Sequence, residues 1–370
     1  MNLDLSEEQE MLRRMARDFL EEECPPSHVR EMEPDEKGYS PALWRKMAEL
    51  GWMGLVFPEE YGGTGGDFVD LIILLGEMGR ALLPGPFIPT VVCSGLPLLR
   101  HGTKEQKGNF LPRIASGGLI MTLALTEPEV RFDESGIQVR AKGETSYSIS
   151  GTKLFVPYAH TADWMVCAAR TKKGIALFLV PAETAGISLT LLTTIAADKQ
   201  YEVIFNKVKV PPENILGKAG EGWGIVRDIE EWGALAHCGY EVGSLERVLE
   251  MTVSYANERI QFDRPIGSFQ VIQHKCADMV MDIDGARLLT YQAAWKASQG
   301  LEASREISMA KAWTGEASRR VCLSSHQIHA AIGLFKDYDL ELYFRRAKAA
   351  ELAFGEGDFH RERVAQELRL

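Results

Sequence analysis

The spacing of hydrophobic positions divides the chain into a helical stretch, an alternating stretch and a second helical stretch. Up to about residue 115, apolar side chains recur every three or four positions, as on one face of a helix. Ser6 to Gln9 and Thr103 to Gln106 have the spacing of capping boxes, and Ser40-Pro41 is a third helix start. The first helix carries an apolar stripe of Leu5, Met11, Leu12, Met15, Phe19 and Leu20.

Between about residues 118 and 215, short segments alternate apolar and polar residues and are separated by turn residues, as in an antiparallel β domain. These segments are 119–125, 136–141, 146–149, 164–169, 176–180, 187–192 and 202–208. Residues 211–217 then predict a linker. Beyond residue 219 the helical pattern returns in long segments near 221–258, 268–298, 302–332 and 338–354, which suit a bundle.

These changes of pattern predict an α+β multidomain protein. We expect an N-terminal α-helical domain over residues 1–117, a middle antiparallel β domain over 118–218 and a C-terminal four-helix bundle over 219–370. A chain of 370 residues is long enough for two or three domains.

Composition narrows the classes of function and location. The net charge of −11 argues against a nucleic-acid surface. The acidic N-terminus lacks the apolar core of a signal peptide, and no apolar run approaches the roughly 20 residues that span a bilayer. The six cysteines are scattered singly, so we expect a reduced, cytoplasmic setting and no metal site.

Planar donors and aromatic rings crowd into one short segment, residues 259–270. Its donors are Arg259, Gln261 and Gln270, and its rings are Phe262 and Phe269. An arginine fork suits phosphate oxygens, and phenyl faces suit flat rings, so the segment predicts a platform for a nucleotide-like ligand. The alternative is a solvated arginine beside core aromatics.

With the preceding Tyr255-Ala256, this segment resembles the YAxxRxQFGxPIxxFQ pattern of the acyl-CoA dehydrogenase family. The resemblance covers essentially the whole chain and implies the α, β, α architecture of that family. It further implies FAD held between the β domain and the bundle, an acyl-CoA substrate and electron-transfer flavoprotein as acceptor. Partner subunits are implied as well, in a homodimer, a homotetramer or a heteromer with a paralogous chain.

Two motifs of the β domain resemble flavin-binding motifs of the family. Leu123 to Pro128 resembles the A-x-TEP loop, which implies flavin contacts for Leu123, Leu125 and Thr126. Gly151 to Ala159 resembles the strand that flanks the flavin ring, which implies contacts for Phe155, Val156 and Pro157. Its K-x-F-V-P-x-A form is similar to a bacterial branch with often unequal subunits. On the residues alone, Thr126 could cap a turn and the strand could be a plain edge strand.

Further matches lie in the C-terminal part, where Arg259, Gln261, Phe262 and Gln270 match residues that reach a partner subunit's FAD. Gln327 and Ala331 fall in a segment that resembles Q-x-x-G-G-x-G, with alanines at positions 330 and 331 in place of both glycines. Asp263 replaces a further glycine and would repel a pyrophosphate unless Arg264 neutralises it. His326 and His329 are expected to be surface or packing residues rather than metal ligands.

The residue expected to abstract the α-proton is missing at both positions the family uses. Phe354 stands at the glutamate of the Y-E-G-T turn, and a one-residue shift would place Gly355 there. The second position falls on Gly233-Ala234. Glu230 and Glu231 are expected to be solvated, whereas Glu356 could swing in, so the catalytic residue stays unknown. Small residues of this helix either widen an acyl pocket or allow close packing: Gly233, Ala234, Ala236, Cys238 and Gly239.

Three functions remain open on the sequence. The first is FAD-dependent α,β-dehydrogenation of an acyl-CoA, with a bulky or cyclic acyl group if the small residues line the pocket. The second is a non-catalytic subunit that completes the FAD site of a paralogous partner. The third is different flavin chemistry within the family, such as enoyl-CoA reduction.

Overall fold

The structure, a computed structural model, describes residues 5–143 and 146–369. Its α-helices are α1 (Glu7–Glu23), α2 (Pro26–Met32), α3 (Pro41–Glu49), α4 (Phe68–Arg80), α5 (Leu96–His101), α6 (Lys104–Ala115), α7 (Gly222–Glu258), α8 (Gln270–Ser298), α9 (Ser304–His329), α10 (Leu340–Leu352) and α11 (Gly357–Glu367). Its strands are β1 (Met121–Ala124), β2 (Arg140–Lys142), β3 (Tyr147–Pro157), β4 (Trp164–Thr171), β5 (Gly174–Pro181), β6 (Ile187–Leu192), β7 (Gln200–Val210), β8 (Ile215–Leu216), β9 (Ile260–Gln261) and β10 (Arg264–Pro265).

The predicted fold class, with helices before and after a β domain, is confirmed. The described chain packs into two compact units. We call residues 1–30, 68–83 and 234–370 the helical unit, and residues 31–67 and 84–233 the sheet unit. The predicted domain boundaries near 117 and 218 stay predictions, because this division follows compactness and not sequence modules.

The sheet unit is built on one mixed sheet with strand order β6-β7-β3-β2-β4-β5-β8. Most neighbours are antiparallel, while β1 and β2 each pair with β4 in parallel. Residues 211–217, predicted as a linker, contain β8, which pairs with β5 at the sheet edge. Apolar residues of alternate positions, such as Ile149, Val203 and Phe205, are buried in a common core, which is what the alternating pattern predicted.

In the helical unit, α1 begins at the predicted capping box of Ser6 and Gln9. The predicted stripe is only partly right, because Met11 and Met15 are more than half exposed. Met11 precedes Leu12 and Met15 precedes Ala16, and a step of one residue turns a side chain by about 100° around a helix. Ala16 and Leu20 are the residues of α1 that are buried instead.

The bounds of the long C-terminal helices were predicted to within three residues, but the described bundle contains one more helix than expected. Helices α7, α8 and α10 match their predicted segments, and α9 ends at His329, three residues early. The additional helix α11 buries His360 alone among its residues. Because it carries no apolar stripe, the hydrophobic pattern does not reveal it.

Helices α4 and α7 approach closely because both carry glycines at the contact. A Cβ on Gly243 would lie 1.8 Å from Gly76 O, and one on Gly79 would lie 1.7 Å from Tyr240 O. A Cβ on Gly239 would lie 2.9 Å from Ile72 Cδ1. Close helix packing therefore explains Gly239, one of the small residues for which the sequence left two explanations open.

All six cysteines are free, and burial raises the pKa of Cys24, Cys93, Cys238 and Cys322 to about 12. Such thiols stay protonated and unreactive. Within the described residues, no helix combines the length and the apolar character that a membrane crossing needs.

We expect Gly243→Ala to lower the free energy of unfolding by about 1–3 kcal/mol, because its methyl group would overlap Gly76 O and force α4 and α7 apart. Gly224→Ala on the same helix is the matched control, since its Cβ would meet no atom within 4 Å. Urea unfolding followed by circular dichroism measures both. Equal stability of the two variants would contradict the close approach.

Candidate active site

A buried ion pair fixes the loop that follows β1. Lys153 Nζ lies 2.7 Å from Glu127 Oε1, and both side chains are almost wholly shielded from solvent. The same ammonium donates to Leu125 O at 2.9 Å, and the Glu127 carboxylate accepts from the backbone N–H groups of Gln138 (2.9 Å) and Val139 (3.1 Å). The loop is thereby held against β3.

Thr126 lies on this loop with its hydroxyl unused. Its carbonyl accepts from the Leu154 N–H at 2.9 Å, while the hydroxyl has no hydrogen-bond partner among the described residues. The hydroxyl therefore does not cap a turn. Leu125 and Thr126 are partly exposed, whereas the side chain of Leu123, on β1, is buried.

A bulge in β3 turns Phe155 out of the sheet. The pairing of β3 with β7 slips between Lys153 and Val156, and Phe155 has a φ of 52°, which is uncommon for a non-glycine residue. Phe155 is 50% exposed, but the side chain of Val156 is fully buried, so Val156 can offer a ligand only its backbone. Pro157 ends β3, and its carbonyl accepts from the Thr122 hydroxyl. Because β3 lies between β7 and β2, it is not an edge strand.

Strands β9 and β10 form a hairpin with Phe262 and Asp263 at its tip. Both tip residues have positive φ, 53° and 61°, as tight hairpin turns require. Phe262 is 86% exposed, and Arg259 and Gln261 beside it are exposed as well. The donors and the ring of this segment are therefore open to a ligand or to another chain.

Arg264 does not neutralise Asp263 in the structure. Its guanidinium lies 4.1 Å from the centre of the Phe269 ring, a cation–π contact. Phe262 meets the same ring edge-on at 6.1 Å. Among the described residues Asp263 forms no ion pair, so its carboxylate stands exposed at the hairpin tip.

The two predicted glutamines lie on neighbouring helices of the helical unit. Gln270 is the exposed first residue of α8, and Gln327 is exposed near the end of α9. Gln327 Oε1 accepts from Lys275 Nζ at 2.6 Å. No sequence motif pointed to Lys275, which adds a positive charge beside a residue expected to meet a nucleotide.

The substituted glycines leave Ala330 in a conformation that glycine favours. Ala330 has φ 53° and ψ −139° at the end of α9, and Ala331 follows it, exposed, in a 3₁₀ turn (Ala330–Leu334). A side chain in this region of backbone space is strained.

His326 and His329 are packing residues, as expected. Their Nδ1 atoms lie 2.9 Å from Cys322 O and Ser325 O, one turn back on α9. The His329 ring stacks on Tyr255 at 4.4 Å. In the part of the chain that the structure describes, no group of three or more His, Cys, Asp or Glu is placed to hold a metal ion.

Polar contacts from two other helices hold the turn that carries Phe354 and the end of α10 before it. Phe354 O accepts from His360 Nε2 of α11 at 2.9 Å, and Lys311 Nζ of α9 donates to Ala350 O at 2.7 Å. Phe354 and Gly355 have positive φ, 57° and 99°. The phenyl side chain at the expected base position cannot accept a proton.

His237 is a titratable residue at this turn that sequence reasoning missed. Its ring lies 5.6 Å from the Phe354 ring, and it follows Gly233 by one turn of α7. Burial, with the charge of Lys311 adding to it, lowers its pKa to about 3. The available signal was its position as the one imidazole within the run Ala234 to Gly239, whose other residues are small or apolar.

The prediction that Glu230 is solvated was wrong. Glu230 is only 6% exposed, because Val226 and Ala234, one turn before and after it on α7, are both fully buried. Glu231 is partly exposed. Glu356 is exposed at the N-cap of α11, two residues beyond Phe354.

Three family models match consecutive parts of the chain. They are the N-terminal domain of acyl-CoA dehydrogenase over residues 6–118, its middle domain over 122–208 and its C-terminal domain over 220–369.

Individual proteins resemble the chain over its whole length. A probable acyl-CoA dehydrogenase of Bacillus subtilis is 34% identical over 100% of both chains. An acryloyl-CoA reductase (NADH) of Anaerotignum propionicum is 33% identical over 100% of this chain and 96% of its own. A chain in the crystal structure of the ChsE4–ChsE5 complex of Mycobacterium tuberculosis has a TM-score of 0.92 and 30% identity, covering 100% of this chain and 99% of that one.

We expect Lys153→Met to lower the free energy of unfolding by about 3–5 kcal/mol, because it leaves the Glu127 carboxylate buried and unpaired. Lys153→Met combined with Glu127→Leu should recover part of that loss, because it removes the unpaired charge but leaves the Gln138 and Val139 N–H groups without their acceptor. Lys218→Met, which breaks the exposed pair with Glu221, is the control and should cost less than about 1 kcal/mol. Denaturant unfolding of the four proteins tests the order.

Ala330→Gly should raise the free energy of unfolding by about 1 kcal/mol, since glycine adopts the observed φ and ψ without strain. Ala331→Gly is the neighbouring control, because Ala331 has no positive φ and should gain nothing. Thermal unfolding compares the two. A larger gain at position 331 would show that the strain does not lie at Ala330.

Proposed function

The chain belongs to the acyl-CoA dehydrogenase family, and we propose that it binds FAD and introduces an α,β double bond into an acyl-CoA. The observation that carries the proposal is the Phe155 bulge: an apolar ring turned out of an interior strand and half exposed, at the position that flanks the flavin in the family. Electron-transfer flavoprotein is the proposed electron acceptor.

The residues present fit FAD in their chemistry. Thr126 offers a hydroxyl with no partner among the described residues, and Phe155 offers a flat apolar face. Leu123, Leu125, Val156 and Pro157 would supply backbone and apolar contacts near the flavin ring. When bound, FAD would supply the hydride acceptor; this chain's own residues would orient it and exclude water.

The exposed hairpin supports sharing of cofactor sites between subunits. Arg259 and Gln261 would donate to phosphate oxygens and Phe262 would pack on the adenine of a partner's FAD. Gln270, Gln327 and Ala331 would complete that nucleotide site. A hairpin with an 86% exposed phenylalanine at its tip is poorly suited to an isolated chain. A homodimer, homotetramer or heteromer would each cover it.

A second candidate is a non-catalytic subunit that completes the FAD site of a paralogous partner. The position of Phe354 supports it, because neither Phe354 nor the exposed Glu356 offers a proton acceptor at the expected place. The likeness to a chain of the ChsE4–ChsE5 complex adds support for a heteromer. The likeness to an acryloyl-CoA reductase keeps enoyl-CoA reduction as the third reading. A cytoplasmic location stays a prediction from composition.

Purified chain should show the visible absorbance of bound FAD, and anaerobic titration with an acyl-CoA panel should bleach it if the chain is catalytic alone. Wild type, Phe354→Glu and Phe354→Gln separate the candidates, because only the glutamate adds a proton acceptor at similar size. Bleaching by wild type supports dehydrogenation.

Bleaching by Phe354→Glu, but not by wild type or Phe354→Gln, supports the non-catalytic subunit. If circular dichroism shows that all three proteins are folded and none has flavin absorbance, the proposal is wrong for the isolated chain. Co-expression with a paralogous chain that carries the glutamate then tests the heteromer.

A further inference from the structure

His237 borders the residue that replaces the expected base. Its imidazole lies 5.6 Å from the Phe354 ring at an interplanar angle of 43°. It follows Gly233 by four residues on α7, so the two lie on the same face of the helix. The resemblance to the family would place a carboxylate at Phe354 or at Gly233. The His237 imidazole contacts Phe354 and lies one helical turn from Gly233, so it is close to both positions.

The imidazole has a buried nitrogen without a partner. His237 Nδ1 is shielded from solvent and forms no hydrogen bond among the described residues. His329 Nε2 and His360 Nδ1 are also buried without a partner, but each of those rings binds a backbone carbonyl through its other nitrogen. An unpaired buried polar atom costs stability that a bound ligand can recover.

The surroundings keep this imidazole neutral. Burial and the Lys311 charge lower its pKa to about 3. On the other side of the Phe354 turn, His360 also has a lowered pKa, about 4, with burial as the main cause. The place disfavours an added positive charge, so a neutral hydrogen-bonding role fits better than proton abstraction. A neutral imidazole offers one donor and one acceptor nitrogen.

We propose that His237 binds a hydroxyl group carried by the acyl moiety of the substrate, close to the reacting carbons. A hydroxyl both donates and accepts, so it can pair with an imidazole nitrogen of His237 in either tautomer. The neighbours Ala234 and Ala236 are small and Phe354 is apolar, while the nearest buried carboxylates of α7, Glu230 and Glu241, lie two turns before and one turn after His237. The proposal rests on the proposed function, because it takes the acyl group to lie along α7 beside Phe354.

Calorimetric binding to the FAD-containing protein tests this assignment. The probes are butyryl-CoA, 3-hydroxybutyryl-CoA, 4-hydroxybutyryl-CoA, cyclohexanecarbonyl-CoA and 4-hydroxycyclohexanecarbonyl-CoA. We expect at least one hydroxylated ester to bind about tenfold more tightly than its parent. His237→Phe should abolish that preference without weakening the parent ester, and His237→Asn, which keeps a polar group nearby, should retain part of it.

Two controls keep the outcomes separate. His274→Phe, an exposed histidine of α8, should leave the preference unchanged. Flavin absorbance and binding of butyryl-CoA report on the proposed function itself: if both are absent from wild type, the proposed function fails and the assignment fails with it. If both are present and no hydroxylated ester is preferred, or if His237→Phe keeps the preference, the assignment alone is wrong.

A role in proton transfer would leave a different signature. Exchange of the α-hydrogens of butyryl-CoA with deuterated solvent, followed by mass spectrometry, reports proton abstraction without turnover. Loss of exchange in His237→Phe, with an unchanged binding preference, would overturn the hydroxyl assignment and make His237 the base.

Discussion

The Lys153–Glu127 ion pair is the constraint on which the expected flavin-binding part of the sheet unit depends. Both charged groups are shielded from water. Each forms an ion pair with the other and hydrogen bonds with backbone groups. A buried pair of this kind contributes little net stability over an apolar pair, but it fixes geometry, because neither charge tolerates losing its partner. The loop with Thr126 and the strand with Phe155 are thereby set against each other.

Backbone conformations that favour glycine recur at the segments expected to bind the cofactor or to carry the base. Phe155, Phe262, Asp263, Ala330 and Phe354 all have positive φ without being glycines. Such conformations persist only where the surrounding structure imposes them, and they are enriched at functional sites. At three of these places, Asp263, Ala330 and Phe354, the resemblance to the family leads one to expect a different residue.

The groups expected to bind the cofactor differ in availability from the groups at the expected base position. Polar and aromatic groups expected at the FAD are exposed or unpaired, hence available, at Thr126, Phe155 and the hairpin tip. At the expected base position the chain offers a phenyl ring, a neutral imidazole and a turn held by His360. The groups expected to bind FAD are thus available for binding, whereas Phe354, at the expected base position, has no proton acceptor.

Hydrophobic periodicity determined the element types, and motif spacing determined the family. The long helices, the alternating strands and the capping box of Ser6 follow from local pattern, because burial of one face imposes that pattern. The structure alone decided the burial of Glu230, the exposure of Met11 and Met15 and the existence of α11, which has no stripe to read. It also decided that His237 meets Phe354 across more than a hundred positions of sequence. Contacts of that kind depend on how helices pack, and no local pattern encodes them.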